Sequence, residues 1–309
     1  MLLEIVFIIV GVALVLWGAD RMTDGAVALA QRLNIPQMVI GLTIVAMGTS
    51  APELFVSFVS AVKGTPDLAV GNVVGSNIFN AMLIVGTAAM VAPMAISRST
   101  VKKDIPFAIL SSALLIVLCY DGNISRVDAL ILFAVLVIFM FYTLWVAKRG
   151  KAEGTVGEKP LAPVRAVFLI VLGLVCLVVG SNLFVNGATA VAASLGVSEA
   201  VIGLTVVAGG TSLPELATSV VAARKGQSAI AMGNVIGSNV LNVLMILGVT
   251  GLICPMQIEG ITMVDFSVMF VSVVMLWLFS YSKYKVERWE GFALVAVFAG
   301  YMYWLVSQV

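Results

Sequence analysis

Residues 41–86 read GLTIVAMGTSAPELFVSFVSAVKGTPDLAVGNVVGSNIFNAMLIVG, and residues 203–248 read GLTVVAGGTSLPELATSVVAARKGQSAIAMGNVIGSNVLNVLMILG. The two segments align without a gap at an offset of 162 residues, and 26 of the 46 positions are identical. Each segment carries one glutamate, Glu53 or Glu215, inside an otherwise apolar stretch. Because a carboxylate is costly in lipid, two of them at matching positions predict one shared site.

The composition is that of a membrane protein. The 309 residues are 61% hydrophobic and 11% charged, with a mean hydropathy of +1.13, whereas soluble domains carry about 25% charged residues. Apolar segments long enough to cross the hydrocarbon core as helices lie at about 2–30, 36–62, 68–93, 104–120, 127–148, 164–194, 199–223, 229–255, 264–281 and 289–307. The sequence therefore predicts ten spans; eight or nine, with short segments merged, is the less favoured alternative.

The charge balance and the cysteines exclude several classes of function. A net charge of +1 gives no electrostatic basis for binding nucleic acid. Cys119, Cys176 and Cys254 lie singly in apolar surroundings, without metal-ligand spacing or an even disulfide framework, and are interpreted as core thiols. The N-terminal sequence MLLEIVFIIV lacks the basic region of a cleaved signal peptide, so we expect the first span to remain as an anchor.

The basic residues predict how the chain is oriented. Of the seventeen Lys and Arg residues, fourteen lie at the ends of spans on one side; Lys63 and Arg126 lie on the other, and Arg21 lies within the first span. The side richer in basic residues is expected to be cytoplasmic. Both termini are therefore predicted to be external.

The sequence repeat extends beyond the two matching segments. Residues 18–20 correspond to 180–182 at the same offset, which predicts two copies of a five-helix unit at 1–148 and 164–309. The charged, Gly- and Pro-containing stretch 149–163 is predicted to be a cytoplasmic linker. Because each copy has an odd number of spans, the second copy enters from the opposite face. The predicted fold class is thus an all-α polytopic membrane protein with ten transmembrane helices in two inverted-topology repeats.

Small and polar side chains share one face of the second predicted span, at spacings of three and four: Ala46, Thr49, Ser50, Glu53 and Ser57. The seventh span repeats this face with Ala208, Thr211, Ser212, Glu215 and Ser219. Pro52 and Pro214 each precede a glutamate and predict a kink or break that frees backbone carbonyls around 46–49 and its counterpart. Such carbonyls are tolerated at membrane depth only where they line a cavity or find partners.

The third and eighth spans supply an opposing polar wall, composed of Asn72, Ser76, Asn77 and Asn80 and of Asn234, Ser238, Asn239 and Asn242. For any one of these side chains, a purely structural role in hydrogen bonding between helices is an equally good interpretation. Glycines four residues apart, at 71 and 75 and at 233 and 237, predict close helix contacts. Asp20 and Asp24, which correspond to Asn182 and Asn186, are interpreted as solvated end or cavity residues.

The two glutamates require compensation of their charge. No Lys or Arg lies in the central parts of these spans, so a bound cation is the favoured solution. The chain has no His, and Met47 is the only sulfur near a glutamate, which disfavours a soft-metal site. An all-oxygen site suits Ca²⁺, which takes six to eight oxygen ligands, better than Mg²⁺, which retains water.

The paired motifs GTSAPEL…GNVVGSNIFN and GTSLPEL…GNVIGSNVLN resemble the two alpha-repeats of the sodium/calcium exchanger family, within the cation/calcium exchanger superfamily. The resemblance places alpha-repeat 1 at 41–86 and alpha-repeat 2 at 203–248 and, through the ten-span plan, covers the whole chain. It implies a ten-helix bundle in a prokaryotic plasma (inner) membrane with external termini. It also implies a central site where Ca²⁺ and Na⁺ compete, and sliding of the first and sixth helices.

The resemblance also implies roles for individual residues. Glu53 and Glu215 correspond to the central Ca²⁺ ligands, and the remaining metal-site positions are Thr49, Thr211, Ala46, Ala208, Ser76, Ser238, Asn80 and Asn242. Helix-breaking and supporting roles fall to Ser50, Ser212, Pro52, Pro214, Asn72, Asn234, Asn77 and Asn239. Some family members carry aspartate at the position of Asn242, and its absence here argues against K⁺ co-transport.

The function predicted from the sequence is secondary active antiport of Ca²⁺ for Na⁺ by alternating access. Only a cation-loaded site is expected to pass through a closed, dehydrated state, because two bare carboxylates are costly to bury. A Ca²⁺/H⁺ or other divalent cation/H⁺ exchanger is the first alternative, and a Ca²⁺ channel is the second. The sequence contains none of the hydrolytic motifs that would predict an intramembrane enzyme. Beyond the transported ions and the lipid bilayer, we expect no cofactor, no nucleic acid and no obligatory protein partner.

Overall fold

The computed structural model describes residues 2–149, 161–196 and 208–307. This part of the chain is mostly helical, as an all-α membrane protein requires. Its helices are α1 Leu2–Leu33, α2 Gln37–Thr49, α3 Ala51–Val62, α4 Pro66–Val91, α5 Ile105–Leu118, α6 Arg126–Arg149, α7 Pro163–Ser194, α8 Ala208–Thr211, α9 Leu213–Arg224, α10 Ser228–Ile253, α11 Met263–Lys283 and α12 Arg288–Ser307.

Several of these helices meet the length and composition required to cross a membrane. Among the described residues, α1, α4, α6, α7, α10 and α11 do so individually, and α2 with α3 form a seventh candidate if the bent pair is one span. Large apolar side chains such as Leu110, Val117, Phe141 and Val164 are exposed on the outer faces of helices, where a lipid environment accommodates them. The all-α membrane class is confirmed.

The predicted apolar segments coincide with helices wherever the structure describes them. Parts of two predicted elements lie outside the described residues: 150–160 of the linker and 197–207, which includes the start of the second alpha-repeat. The count of ten spans, the inverted repeats and the domain bounds therefore stay predictions.

Two short antiparallel strand pairs join connections at the ends of the helices. β1, Met94–Ala95, pairs with β4, Lys285–Val286, and β2, Asn123–Ile124, pairs with β3, Met256–Gln257. β1 and β3 lie 162 residues apart, as do β2 and β4, so the strands follow the repeat in the sequence. These strands could not be predicted from the sequence, because a two-residue strand has no alternating pattern to detect.

Each proline-containing segment breaks its helix where the sequence predicts. Helices α2 and α3 meet at Ser50 with a bend of 47°, and α8 and α9 meet at Ser212. The two serines have nearly the same backbone conformation, with φ/ψ of −82°/7° and −90°/6°. Pro52 and Pro214 occupy the second position of α3 and α9, where the missing N–H of proline costs least.

The opposing helices widen instead of breaking. Within α4 and α10, residues Phe79–Ile84 and Asn242–Leu247 form π-helical turns. Such turns are rare and are found frequently at functional sites, because they re-aim the side chains they carry. Asn80 and Asn242, which correspond in the repeat, both lie in these turns.

Helices α1 and α7 pack with their backbones in contact. A Cβ atom at Gly11 would lie 2.7 Å from the Gly180 carbonyl oxygen, and a Cβ atom at Gly18 would lie 2.7 Å from that of Gly173. Because the contact advances along α1 as it retreats along α7, the helices are antiparallel. Glycines seven residues apart thus create a seam that no other residue type fits.

The predicted glycine contacts are found in the second half of the chain. A Cβ atom at Gly233 would lie 2.9 Å from the Gly41 Cα atom, so α10 crosses α2 at close range. The corresponding crossing in the first half would involve Gly203, which lies outside the described residues. Helix α10 also contacts α3 and α9, so α2, α3, α9 and α10 lie around a common centre.

Candidate cation-binding site

The two glutamates lie at equivalent positions beside the helix breaks. Glu53 is the third residue of α3 and Glu215 the third of α9, and each side chain is 1% exposed. The Ser50 hydroxyl donates to Glu215 Oε1 at 3.0 Å, and the Ser212 hydroxyl donates to Glu53 Oε1 at 3.1 Å. Ser50 lies at the helix break before Glu53, and Ser212 lies at the break before Glu215, so each serine binds the glutamate of the other half. These reciprocal bonds draw the two carboxylates together.

A network of four amides orients two further side chains. Asn80 Nδ2 donates to Asn239 Oδ1 at 3.0 Å, and Asn242 Nδ2 donates to Asn77 Oδ1 at 3.1 Å. Asn77 and Asn239 also donate to each other's backbone carbonyls at 3.2 and 3.4 Å. Because the nitrogen atoms of Asn80 and Asn242 are committed, their Oδ1 atoms remain available as acceptors.

Several buried oxygen atoms in this region have no hydrogen-bond partner among the described residues. They are Glu53 Oε2, Glu215 Oε2, Asn80 Oδ1, Asn242 Oδ1 and Ser238 Oγ. Buried acceptors without a donor are unfavourable by about 1–3 kcal/mol each, and charged ones by more. A hard cation is the partner that such a set of oxygen atoms fits.

The charge of the site comes from the two glutamates alone. No Lys or Arg contacts either carboxylate among the described hydrogen bonds and ion pairs. The described residues contain no group of three or more His, Cys, Asp or Glu side chains that could hold a metal. The donor set is therefore two carboxylates supplemented by neutral oxygen atoms, with no soft ligand.

Asparagines one helix away fix the backbone that carries each glutamate. Asn72 Nδ2 donates to the Glu53 carbonyl oxygen at 3.2 Å and to the Ser57 hydroxyl at 3.0 Å. In the second half, Asn234 Nδ2 donates to the Glu215 carbonyl oxygen at 3.3 Å. These bonds hold α4 against α3 and α10 against α9 at the positions of the two glutamates.

Flanking residues complete the arrangement. Thr49 donates to Asn234 Oδ1 at 3.0 Å, and the Ser76 and Ser212 hydroxyls lie 3.3 Å apart. The Ala46 carbonyl oxygen accepts the Ser50 N–H at 2.9 Å. The Thr49 hydroxyl also lies 3.4 Å from this oxygen. The helix break therefore does not free the Ala46 carbonyl, contrary to the expectation from the sequence.

The equivalent positions in the second half are described less completely. Thr211 ends α8, directly before the break at Ser212, and Ser238 lies fully buried in α10. Ala208 begins α8, but its side chain lies outside the described residues. The remaining predicted positions all fall on the helices that surround the two glutamates.

The amide network was the feature that the sequence analysis did not reveal. Asn77 and Asn239 were predicted only as supporting residues, whereas they orient Asn242 and Asn80 across the two halves. The pairings join residues 159 and 165 positions apart. Their only signal in the sequence is that the Ser-Asn-x-x-Asn pattern of residues 76–80 recurs at 238–242.

Comparisons with known proteins agree with this arrangement. The family model of the sodium/calcium exchanger protein matches residues 3–145 and 165–307. Inner membrane protein YrbG of Escherichia coli (strain K12) is 35% identical over 319 residues, covering 99% of this chain and 98% of its own. Sodium/calcium exchanger MaX1 of Methanosarcina acetivorans is 29% identical over 336 residues, covering 96% of both chains.

A solved structure shows the same fold. The sodium-calcium exchanger NCX_Mj superposes with a TM-score of 0.84 at 32% sequence identity, covering 97% of both chains. The family model and this structural match together span nearly all of the sequence, including both glutamate-containing segments. The chain therefore belongs to the sodium/calcium exchanger family, as an integral membrane transporter of the cation/calcium antiport class and not an enzyme.

Proposed function

We propose that this protein exchanges Ca²⁺ for Na⁺ across the membrane by alternating access at a site formed around Glu53 and Glu215. The observation that carries the proposal is the set of buried, unpartnered oxygen atoms on these glutamates and on Asn80, Asn242 and Ser238. Two negative charges without a basic partner require positive charge from a bound ion.

The donor set favours Ca²⁺ as the divalent substrate. Ca²⁺ accepts six to eight oxygen ligands at about 2.3–2.6 Å in flexible geometry, whereas Mg²⁺ usually keeps several waters. The two carboxylates and two amide oxygens supply a hard, largely dry environment. Backbone carbonyls of Thr49 and Thr211, beside the helix breaks, are the proposed additional ligands.

Na⁺ is the proposed counter-ion because neutral oxygens flank both carboxylates. Ser76 with Ala46, and Ser238 with Ala208, are the proposed Na⁺ positions on either side of the glutamates. Both MaX1 and NCX_Mj are named as sodium and calcium exchangers. Because a site with two bare carboxylates is costly to enclose, only the loaded forms cross, and transport becomes exchange.

The proposed architecture consists of ten spans in two inverted five-helix repeats, with both termini external and the linker cytoplasmic. Three features of the described residues support it: the strand pairs and the two helix breaks recur at the repeat offset, and the π-helical turns Phe79–Ile84 and Asn242–Leu247 recur to within one residue of it. A prokaryotic inner membrane is the proposed location, consistent with the name of YrbG. The transported ions are the only ligands in this proposal.

The test is uptake of ⁴⁵Ca²⁺ by proteoliposomes containing the purified protein. An outward Na⁺ gradient is expected to drive Ca²⁺ accumulation, and an imposed pH gradient without Na⁺ is expected to drive none. Uptake driven by pH alone would assign the protein as a Ca²⁺/H⁺ exchanger. Rapid equilibration of Ca²⁺ with neither gradient would indicate a channel.

A further inference from the structure

A group of four charged side chains joins α1 to the end of α9, away from the cation site. Lys225, the residue after α9, lies with Nζ 2.6 Å from Asp20 Oδ1 and 2.6 Å from Asp24 Oδ1. It also donates to the Asp20 carbonyl oxygen at 3.2 Å. Arg21 pairs with Asp20 and lies 3.6 Å from Asp24. Two acids thus meet two bases; the sequence interpretation of both aspartates as solvated end or cavity residues missed this pairing.

The repeat offset shows that this group has no counterpart at the other end of the molecule. The positions equivalent to Asp20, Arg21, Asp24 and Lys225 are Asn182, Leu183, Asn186 and Lys63. Lys63 forms no ion pair within the described part of the chain. The two halves therefore share a lysine at the end of the glutamate-bearing helix, but only one half offers it carboxylates.

The ion pairs connect two groups of helices that the proposed alternating access would move relative to each other. The glycine seam joins α1 tightly to α7, so these two helices form one unit. Helix α9 carries Glu215 at its third residue and ends at Arg224, just before Lys225, about 15 Å away along a helix. The pairs therefore touch no transported ion, but they link the α1–α7 unit to the helix that carries Glu215.

We propose that Asp20, Asp24 and Lys225 are positioning residues that hold the α1–α7 unit against α9 and so favour the conformation closed at the Lys225 end. This inference rests on the proposed exchange by alternating access. In the opposite conformation the unit moves relative to α9 and the ion pairs separate. When the opposite end closes, no equivalent ion pair forms between α7 and Lys63. The two conformations therefore differ in free energy.

If the two conformations are unequally populated, the apparent affinity for Ca²⁺ differs between the two faces of the membrane. A ligand's apparent affinity decreases when a smaller fraction of the protein is open to it. The side chains are about a third exposed, and pairs of this kind are individually weak. We therefore expect the group as a whole to change the ratio of the two conformations roughly three- to tenfold.

The first test measures the Ca²⁺ KM at each face, in right-side-out and everted membrane vesicles. In Asp20→Asn/Asp24→Asn, the KM is expected to rise about three- to tenfold at the face of the Lys63 end and to fall at the Lys225 end. Lys225→Gln should reproduce this split, and Asp24→Glu, which keeps the charge, should retain most of the wild-type ratio. Changes of equal sign at both faces, or no change, would overturn the proposal.

The repeat supplies a matched control. Asn182→Asp/Asn186→Asp gives Lys63 the carboxylates that it lacks and is expected to shift both KM values in the opposite direction. Glu259→Gln, a change at an exposed position that takes part in none of these ion pairs, should leave both values unchanged. If Asn182→Asp/Asn186→Asp shifted the two KM values in the same direction as Asp20→Asn/Asp24→Asn, the two groups would not favour opposite conformations.

A second test needs no transport and so separates this inference from the proposed function. Spin labels are placed at Leu33 in α1 and at Lys102, which are both exposed. Lys102 lies in the 95–104 segment, which lines a cavity together with Gly226 at the Lys225 end. The distance between the labels therefore reports the gap between α1 and the rest of the protein. In a chain with its three cysteines replaced, Asp20→Asn/Asp24→Asn should increase the population with the longer distance. An unchanged distribution of distances between the labels would refute the positioning role of these residues even if Ca²⁺ uptake is normal. A clear shift to longer distances would support that role even if the protein proved not to exchange Na⁺.

Discussion

At the scale of residues, each glutamate divides its two oxygen atoms between the protein and the proposed ion. Oε1 accepts a hydroxyl from the opposite half, whereas Oε2 has no partner in the described residues. The serine bonds orient the carboxylates without neutralising them. Binding strength is therefore expected to depend on the glutamates for charge and on Ser50 and Ser212 for geometry.

Removing the charge of either glutamate should abolish transport. Glu53→Gln and Glu215→Gln each leave one carboxylate facing a doubly charged ion, and breaking a buried charge pair costs about 3–5 kcal/mol. We expect Na⁺-driven ⁴⁵Ca²⁺ uptake to fall at least about a hundredfold. Glu259→Gln, at an exposed position, is the matched control and should transport normally. Normal uptake by either buried variant would refute the proposed site.

Removing either serine hydroxyl should weaken binding by a smaller factor. Ser50→Ala removes the donor to Glu215, and Ser212→Ala removes the donor to Glu53. A hydrogen bond to a charged group contributes about 1.5–3 kcal/mol, so the KM for Ca²⁺ should rise roughly tenfold or more in each variant. Ser307→Ala, at an exposed position in α12, serves as the control. An unchanged KM in both variants would show that these bonds do not position the carboxylates.

At the scale of elements, helix breaks and glycine seams determine where the site lies and what surrounds it. Pro52 and Pro214 start α3 and α9 at the glutamates, and the proline-before-glutamate pattern made those breaks predictable from sequence. The π-helical turns were not predictable, because no single residue type causes them. The pairing of Asp20 with Lys225 also escaped prediction, since it depends on how α1 packs against α9, 205 residues along the chain.

The seam between α1 and α7 gives a stability prediction. Gly18→Ala would place its Cβ atom 2.7 Å from the Gly173 carbonyl oxygen and 2.9 Å from Cys176 Cβ. Overpacking of this kind costs about 1–3 kcal/mol, so the Tm of the detergent-solubilised protein should fall by several degrees. Gly300→Ala, where a Cβ atom meets nothing within 4 Å, should leave the Tm unchanged or raise it. Equal Tm values for Gly18→Ala and the wild type would contradict the close packing of α1 and α7.

At the scale of the whole molecule, the repeat accounts for the symmetry of the site. The glutamates, serines and amides pair across the halves, and both Asn80 and Asn242 are neutral. Composition and repeat sufficed to predict the membrane class and the helices, whereas the ligand roles of individual residues, which rest on the family resemblance, stay predictions. Which oxygen atoms stay unpartnered could not be predicted, because it depends on contacts between the halves.

The proposed topology predicts that the two termini share one side of the membrane. Ten spans and the distribution of basic residues place both termini outside and the 149–163 linker inside. In intact cells, an impermeant thiol reagent should therefore label a cysteine added at either terminus but not one placed in the linker. The three native cysteines are replaced beforehand, and cells made permeable provide the control for labelling of the linker. Labelling of only one terminus would require an odd number of spans.

Anomalous diffraction from crystals of this protein, soaked with Ca²⁺ at several Na⁺ concentrations, would show directly whether the two ions compete at the glutamates. We expect one Ca²⁺ peak in contact with Oε2 of both Glu53 and Glu215, and the peak should weaken as the Na⁺ concentration rises. A Ca²⁺ peak elsewhere, or one whose height does not depend on Na⁺, would contradict the claim that both ions compete for a site formed by these two glutamates.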